Sequence, residues 1–309
     1  MTPCRSLTCF FIPVLFTGVA CGEDEAVDAS EPAPADQVAS TLFDLSGLAW
    51  LGDGQFLAVH DAKDPDELER PRVSLLTFPQ GPEGLMWKEA VIDWPTDLGP
   101  SSDLESASTI PGTQEVLFAE SGDDAHEDPA FQRIFLASVD GDEVVLINHT
   151  VWPDPVFNVE ANAVAAFEGG FVFAYAERAE GEPTTDIRWT SFEPDTLTFG
   201  AFSSVEFSNP DPDVANRPIV GMDFDPEGNL YIVAAFDPDV DTGPYTSSIW
   251  KIAALTSGTD GAEIALFDTP ERIATADGFK IESVVVDDMG HVYFGTDDED
   301  LGNVLRPLP

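Results

Sequence analysis

Positive charge is what this chain has least of. Thirteen Lys and Arg stand against 58 Asp and Glu, a formal net charge of −45 over 309 residues, and lysine occurs only at Lys63, Lys88, Lys251 and Lys280. Phosphate backbones and anionic headgroups are held through Lys and Arg, so this balance excludes a nucleic-acid partner and an electrostatic hold on lipid. Cysteine stops early: Cys4, Cys9 and Cys21 are the three. Beyond position 21 there is no disulfide, no thiol nucleophile and no thiolate metal site. The four histidines (His60, His126, His149, His291) do not cluster, and G-x-S-x-G, H-E-x-x-H and P-loop patterns are missing. The apolar run at residues 7–20 is fourteen residues long, too short to cross a bilayer as a helix. Apolar residues overall are not scarce. At 43% hydrophobic and 10% aromatic the chain can bury a core, so its acidity does not mean disorder.

The start of the chain predicts an address. Arg5 precedes the apolar run, which ends Gly18-Val19-Ala20-Cys21. This resembles a bacterial lipobox, with Gly18 where leucine is usual, and implies a signal peptide over residues 1–20 and lipidation of Cys21. Residues 21–37 are acidic and Ala/Pro-rich without apolar periodicity, a flexible tether. A folded domain is expected over residues 38–309. The predicted location is exported, anchored to the bacterial membrane by lipid alone, with the outer membrane or cell surface favoured.

The remainder is one unit repeated five times. DLSGLAWLGDGQFLAVHD, DLESASTIPGTQEVLFAE, NVEANAVAAFEGGFVFAY, PIVGMDFDPEGNLYIVAA and KIESVVVDDMGHVYFGTD align without gaps. Each has an apolar run, a Gly-containing turn and a second run rich in Phe, Tyr, Val and Leu, which is a β-hairpin signal. Their third residues are Ser46, Glu105, Glu160, Val220 and Glu282, spaced by 59, 55, 60 and 62 residues. Weaker strands follow at 72–78 and 88–94, 132–139 and 143–148, 185–192 and 197–207, then 248–254 and 262–267. Four antiparallel strands per repeat predict an all-β, five-bladed β-propeller of four-stranded blades. The fifth repeat is short, leaving only residues 303–308 after its hairpin. Residues 38–44 are therefore expected to supply its missing outer strand and close the ring.

In such a ring the first strand of each blade lines a central channel, and the five reference positions converge there. Three glutamates in one narrow channel must share protons, pair with bases or hold a cation. Carboxylate and hydroxyl oxygens without His or Cys suit Ca²⁺ ahead of Mg²⁺. The expected ligands are Ser46, Glu105, Glu160 and Glu282. The order Ser, Glu, Glu, x, Glu over five blades resembles the calcium-activated nucleotidases (apyrases), which implies a Ca²⁺ held in the channel. Val220 departs from that family's fourth ligand, and Asp61 resembles the acidic residue ending its first hairpin. The hairpins at residues 46–61 and 103–124 also resemble the esterase-like, phytase-like propellers of exported bacterial proteins.

The loops between second and third strands vary in length on one face, which marks it as the working face. His60 and Asp61 end a second strand there and are the candidate catalytic pair. Glu120, Asp123, Asp124, Glu177, Asp297, Asp298 and Asp300 are expected to rim the same face. The loop Asp237-Pro-Asp239-Val-Asp241 has alternating aspartates but not the glycine and glutamate of an EF-hand. Asn148-His149-Thr150 matches a glycosylation sequon, accidental in a bacterial lipoprotein. The leading expectation is a monomeric binding or scaffold propeller with Ca²⁺ in its channel, taking an unidentified small molecule or protein at the loop face. The alternative is a Ca²⁺-dependent phosphoester hydrolase, with Lys63, Arg70, Arg72 and Arg178 as its bases. A third reading, a glycan-binding propeller, would use Trp50, Trp94 and Trp152 for stacking.

Overall fold

Alternation of period two runs through the inner hairpins, and the blades bury both of their faces because of it. In Gly170–Glu177, Val172, Ala174 and Ala176 point into one apolar cluster while Phe173 and Tyr175 point into the next. A sheet apolar on both faces must be covered on both, and stacking blades in a ring does this.

The computed structural model describes residues 42–63, 70–78, 84–96, 99–122, 131–154, 156–212, 214–259, 261–298 and 301–308. The chain divides into two units, Met1–Asp36 and Gln37–Pro309, and everything described belongs to the second. The signal segment, Cys21, the tether, residues 38–41, His126, Asp123, Asp124 and Asp300 lie outside the described residues.

Five antiparallel sheets form five blades. Blade one is β1 (Gly47–Gly52), β2 (Gln55–Val59), β3 (Val73–Thr77) and β4 (Met86–Glu89). Blade two is β5 (Leu104–Thr109), β6 (Glu115–Glu120), β7 (Arg133–Asp140) and β8 (Glu143–Val151). Blade three is β9 (Val159–Phe167), β10 (Gly170–Glu177), β11 (Thr184–Glu193), and an outer edge split into β12 (Thr198–Phe199) and β13 (Ser203–Ser208). Blade four is β14 (Arg217–Phe224), β15 (Asn229–Phe236), β16 (Thr246–Gly258) and β17 (Gly261–Asp277). Blade five is β18 (Ile281–Val286), β19 (Val292–Thr296) and β20 (Leu305–Pro307). The inner strands β1, β5, β9, β14 and β18 meet in that order, and β18 meets β1, so the ring is closed. Five apolar clusters fill the five seams between blades.

Two expectations are corrected in detail. The outer strand of blade three is broken after a 3-10 turn at Pro194–Thr196, where Leu197 is left-handed with φ 48°. The outer strand of blade four is not six residues but seventeen, and β16–β17 forms a long hairpin. The expected closing strand falls largely outside the described residues, and among them blade five has three strands. What is described of that segment joins the seam between blades five and one. Leu42 and Leu45 pack with Leu48, Phe56, Val285 and Leu305, and the Leu45 N–H donates to the Thr296 carbonyl at 3.0 Å.

Two glycines set how closely the inner strands approach. A Cβ on Gly47 would lie 2.7 Å from the Ala107 nitrogen, and one on Gly221 would lie 2.6 Å from the Glu282 carbonyl oxygen. Any side chain there would push neighbouring inner strands apart and widen the channel.

Candidate functional site

Each channel glutamate is the odd residue of a β-bulge. Pairing jumps from Leu104–Glu120 to Ser106–Ala119 around Glu105, and from Ile281–Thr296 to Ser283–Gly295 around Glu282. It jumps from Val159–Glu177 to Ala161–Ala176 around Glu160. A bulge inserts one residue and re-aims its side chain, so strands whose other residues feed the seams turn one carboxylate inward. In β14 the irregularity spans Arg217 to Gly221, and Val220 joins the apolar seam between blades four and five. Ser46, Glu105, Glu160 and Glu282 together line the narrowest part of the channel, a space of about 10 Å³, no more than one water needs.

Above this constriction lies a cavity of about 310 Å³ on the face of the loops between second and third strands. Eight carboxylates line it, from Asp61, Glu105, Glu160, Asp237, Asp239, Asp241, Glu282 and Asp297, against four bases, Lys63, Arg178, Arg217 and Lys280. A chain with thirteen bases thus concentrates four of them here.

Those bases are unevenly shared. Arg178 Nη1 is 2.7 Å from Glu160 Oε1, and its Nη2 is 3.2 Å from Glu180. Lys280 Nζ is 3.1 Å from Glu282 Oε1, 2.8 Å from Asp297 and 3.4 Å from Asp237. Arg217 reaches Asp237 at 3.0 Å and Glu282 at 3.7 Å. Glu160 and Glu282 therefore carry their own counter-ions. Burial raises the Glu160 pKa, opposed by Arg178. Burial also holds Glu282 well above its usual range, opposed by Lys280.

Glu105 has no such partner. It is 8% exposed and makes no hydrogen bond or ion pair among the described residues. Burial, and then the charges of Asp103 and Glu160, push its pKa well above the carboxylate range. It forms a group with Asp61 and Asp103, each offering one oxygen, with all three oxygens within 4.8 Å of one another. This is the one such group among the described residues. Asp103 is left-handed with φ 57°, accepts from the Ser121 hydroxyl through Oδ2, and has no hydrogen bond at its buried Oδ1. Asp61 ends β2. Arg70 donates to its Oδ1 at 2.7 Å and bridges it to Asp44, while the Asp61 N–H donates to Asp44 Oδ2 at 2.7 Å. Burial, then the charge of Asp44, pushes the Asp61 carboxyl up to about 8. Asp103 was not among the residues singled out in the sequence. Its signal was present, since the Asp-Leu-Glu of the second repeat matches the Asp-Leu-Ser of the first, but aspartates are too common in this chain to stand out.

Other candidates are held in structural contacts. His60 is fully buried. Its Nδ1 contacts the Asp44 carbonyl, its Nε2 lies 2.8 Å from the Ser74 hydroxyl, and burial lowers its pKa. It holds Asp44 and the end of β2 in place and does not line the cavity. Ser46 donates to Asp44 Oδ2 at 3.4 Å. Glu120 is no rim residue. It is 0% exposed and is clasped by Arg133, which donates to it at 2.6, 3.0 and 3.2 Å. Asp298 is buried and accepts the Lys280 N–H at 2.6 Å. Glu177 accepts the Phe157 N–H. Asp237 spends its carboxylate on Arg217, Lys280 and the Asp239 N–H, so the alternating-aspartate loop does not converge on one point. Arg72 donates to the Ser101 carbonyl at 2.7 Å and is buried. Trp94 and Trp152 pack in seams, and Trp50 lines a separate recess of about 810 Å³ on the opposite face.

No family model matches the chain, and no curated protein matches it. Solved structures match over most of its length with few identical residues. A GH43 β-1,3-galactosidase with galactodeoxynojirimycin is 9% identical over 87% of this chain and 91% of its own, with a TM-score of 0.48. An exo-β-1,3-galactanase from Phanerochaete chrysosporium is 10% identical over 87% of this chain and 61% of its own, with a TM-score of 0.47. Hydrazine synthase of Kuenenia stuttgartiensis is 10% identical over 81% of this chain and 60% of its own, with a TM-score of 0.41.

Proposed function

We propose that this chain is a binding propeller that holds one divalent cation at the channel mouth, on Asp61, Asp103 and Glu105, and takes its ligand there. The observation that carries the reading is Glu105, a buried carboxylate with no base, grouped with two further carboxylates within 4.8 Å. Lys63 and Arg70 stand at the two aspartates, and a cation with a flexible oxygen shell would supply the positive charge that Glu105 lacks. Ca²⁺ suits the site because every donor is a carboxylate oxygen. The cation is off the axis, unlike the ring expected from Ser46, Glu105, Glu160 and Glu282, because Arg178 and Lys280 already neutralise Glu160 and Glu282. The proposed setting is outside the cell, with Cys21 as the lipid anchor and the propeller as a monomer.

A phosphoester hydrolase is the second reading, favoured by Lys63, Arg70 and Arg178 standing at this mouth. Against it, Arg178, Arg217 and Lys280 lie 2.7–3.7 Å from carboxylates that a phosphate would have to displace. Glycan binding at this mouth has little stacking surface, since its one lining aromatic among the described residues is Tyr245, whose hydroxyl donates to the Val240 carbonyl.

The test is the thermal midpoint of the full-length chain in EDTA and then in millimolar Ca²⁺. A ligand that binds only the folded state raises stability by mass action, about 2.7 kcal/mol at a hundredfold excess over Kd. The expected result is a rise with Ca²⁺ that Glu105→Gln removes and Glu160→Gln keeps. No rise in the wild type sinks the cation. A rise lost equally in both variants moves it back to the axis.

A further inference from the structure

One base stands on the acidic side of the mouth in a different manner from the rest. Lys63 Nζ is 3.7 Å from Asp61 Oδ2 and 3.7 Å from Asp103 Oδ1, so it faces two of the three carboxylates grouped with Glu105. Its side chain is 58% exposed, whereas Arg217 and Lys280 are 6% exposed on the other side of the mouth. Its backbone is fixed. The Lys63 carbonyl accepts from the Ser102 hydroxyl at 2.6 Å, and the preceding Ala62 carbonyl accepts the Asp103 N–H at 3.1 Å. An anchored backbone with a solvated side chain lets the ammonium enter or leave without moving a strand.

We infer that Lys63 is a tethered competitor of the cation: its ammonium and a divalent cation exclude each other from the oxygens of Asp61 and Asp103. The inference rests on the cation reading above and adds its regulation. Ion pairs of this length at such exposure contribute little to stability, so the cation displaces the ammonium at small cost. Two like charges cannot share oxygens this close, so the occupied site turns Lys63 out toward solvent. The competitor is intramolecular and present at constant effective concentration. It sets a threshold below which the mouth is neutralised by the protein itself and above which it presents a metal. Arg70 cannot play the same part, because its guanidinium is hydrogen-bonded to both Asp44 and Asp61.

Calorimetric titration of Ca²⁺ into the full-length chain tests this, comparing the wild type with Lys63→Met and Lys63→Arg at low ionic strength. Lys63→Met keeps the length of the side chain and removes its charge, and is expected to bind Ca²⁺ roughly tenfold more tightly. Lys63→Arg, which keeps the charge, should stay near the wild type. Binding by Lys63→Met when the wild type gives no heat also supports the competitor. Unchanged or weaker binding by Lys63→Met, with a wild type that binds, overturns the competitor and leaves the cation site standing. Silence from all three proteins removes the cation, and the competitor with it. Thermal midpoints in EDTA verify that each variant is folded.

Discussion

Glu105 and Glu160 occupy equivalent bulges on neighbouring inner strands, and both are buried at the same mouth. One meets Arg178 at 2.7 Å and the other meets two aspartates. The same is true of the mouth as a whole. On the side of blades three, four and five, Arg178, Arg217 and Lys280 are matched to carboxylates by short contacts and are themselves largely buried. On the side of blades one and two, Lys63 and Arg70 stand at Asp61 and Asp103, and Glu105 makes no ion pair among the described residues. The paired side has most of its charge neutralised at fixed geometry, although Glu160 Oε2 and Arg217 Nε are buried there without a hydrogen bond. The under-paired side holds the three grouped carboxylates, which is why the proposed cation is placed there.

Breaking the paired side should produce the largest effect. Lys280→Met leaves Glu282, Asp297 and Asp237 buried without their shared ammonium, and is expected to cost about 3 kcal/mol in urea unfolding. Lys280→Met combined with Glu282→Gln should recover part of this, and a double-mutant cycle measures how much. On the under-paired side the sign reverses. Glu105→Gln removes a carboxyl whose ionised form burial, Asp103 and Glu160 all disfavour, so the protein in EDTA should keep or gain stability while losing its response to Ca²⁺. If Glu105→Gln instead destabilises the protein in EDTA as Lys280→Met does, the two sides are alike and the comparison fails.

Acidity sharpens the contrast further. Asp61 titrates near 8 in the folded protein, against 3.8 for an ordinary aspartate. The folded state therefore holds this proton more tightly than the unfolded state. In EDTA, stability should fall as pH rises from about 4 to about 8 and then level off. Asp61→Asn should flatten that slope, read as the thermal midpoint against pH. A slope identical in wild type and variant would assign it to other groups, such as Asp223, whose carboxyl burial pushes up to about 7. The smallest expected effect is at Asp239, whose side chain is 76% exposed and 3.6 Å from Arg217. Asp239→Asn should change stability by less than about 0.5 kcal/mol and leave Ca²⁺ binding unaltered.

Much of this was legible before any coordinates. Five gapless hairpins spaced by 55 to 62 residues name a five-bladed ring, since each repeat has two apolar faces and only stacking covers both. The convergence of Glu105, Glu160 and Glu282 was legible for the same reason, because identical register in identical repeats sends equivalent positions to the axis. Which bases pair with them was not legible. Lys63, Arg70, Arg72 and Arg178 were expected at this face, but loops distant in sequence also bring Arg217 and Lys280 there beside Arg178. Strand ends were legible only roughly, as the seventeen-residue β17 illustrates, because its exposed residues carry no clean alternation. His60 and Asp61 were grouped because both were expected at the end of a second strand on the working face. Both lie just past the end of β2, where His60 turns inward to the Asp44 carbonyl and the Ser74 hydroxyl while Asp61 lines the mouth.

The amino-acid order by itself therefore determined the repeat, the number of blades, the face that carries the variable loops and the three carboxylates at the axis. All of these follow from periodicity, which is local and additive along the chain. Which carboxylate is left without a base was decided by the tertiary structure alone. Ion pairing depends on distances of a few ångströms between residues as far apart as Asp237 and Lys280, or Lys63 and Asp103, and no periodicity in the chain encodes them.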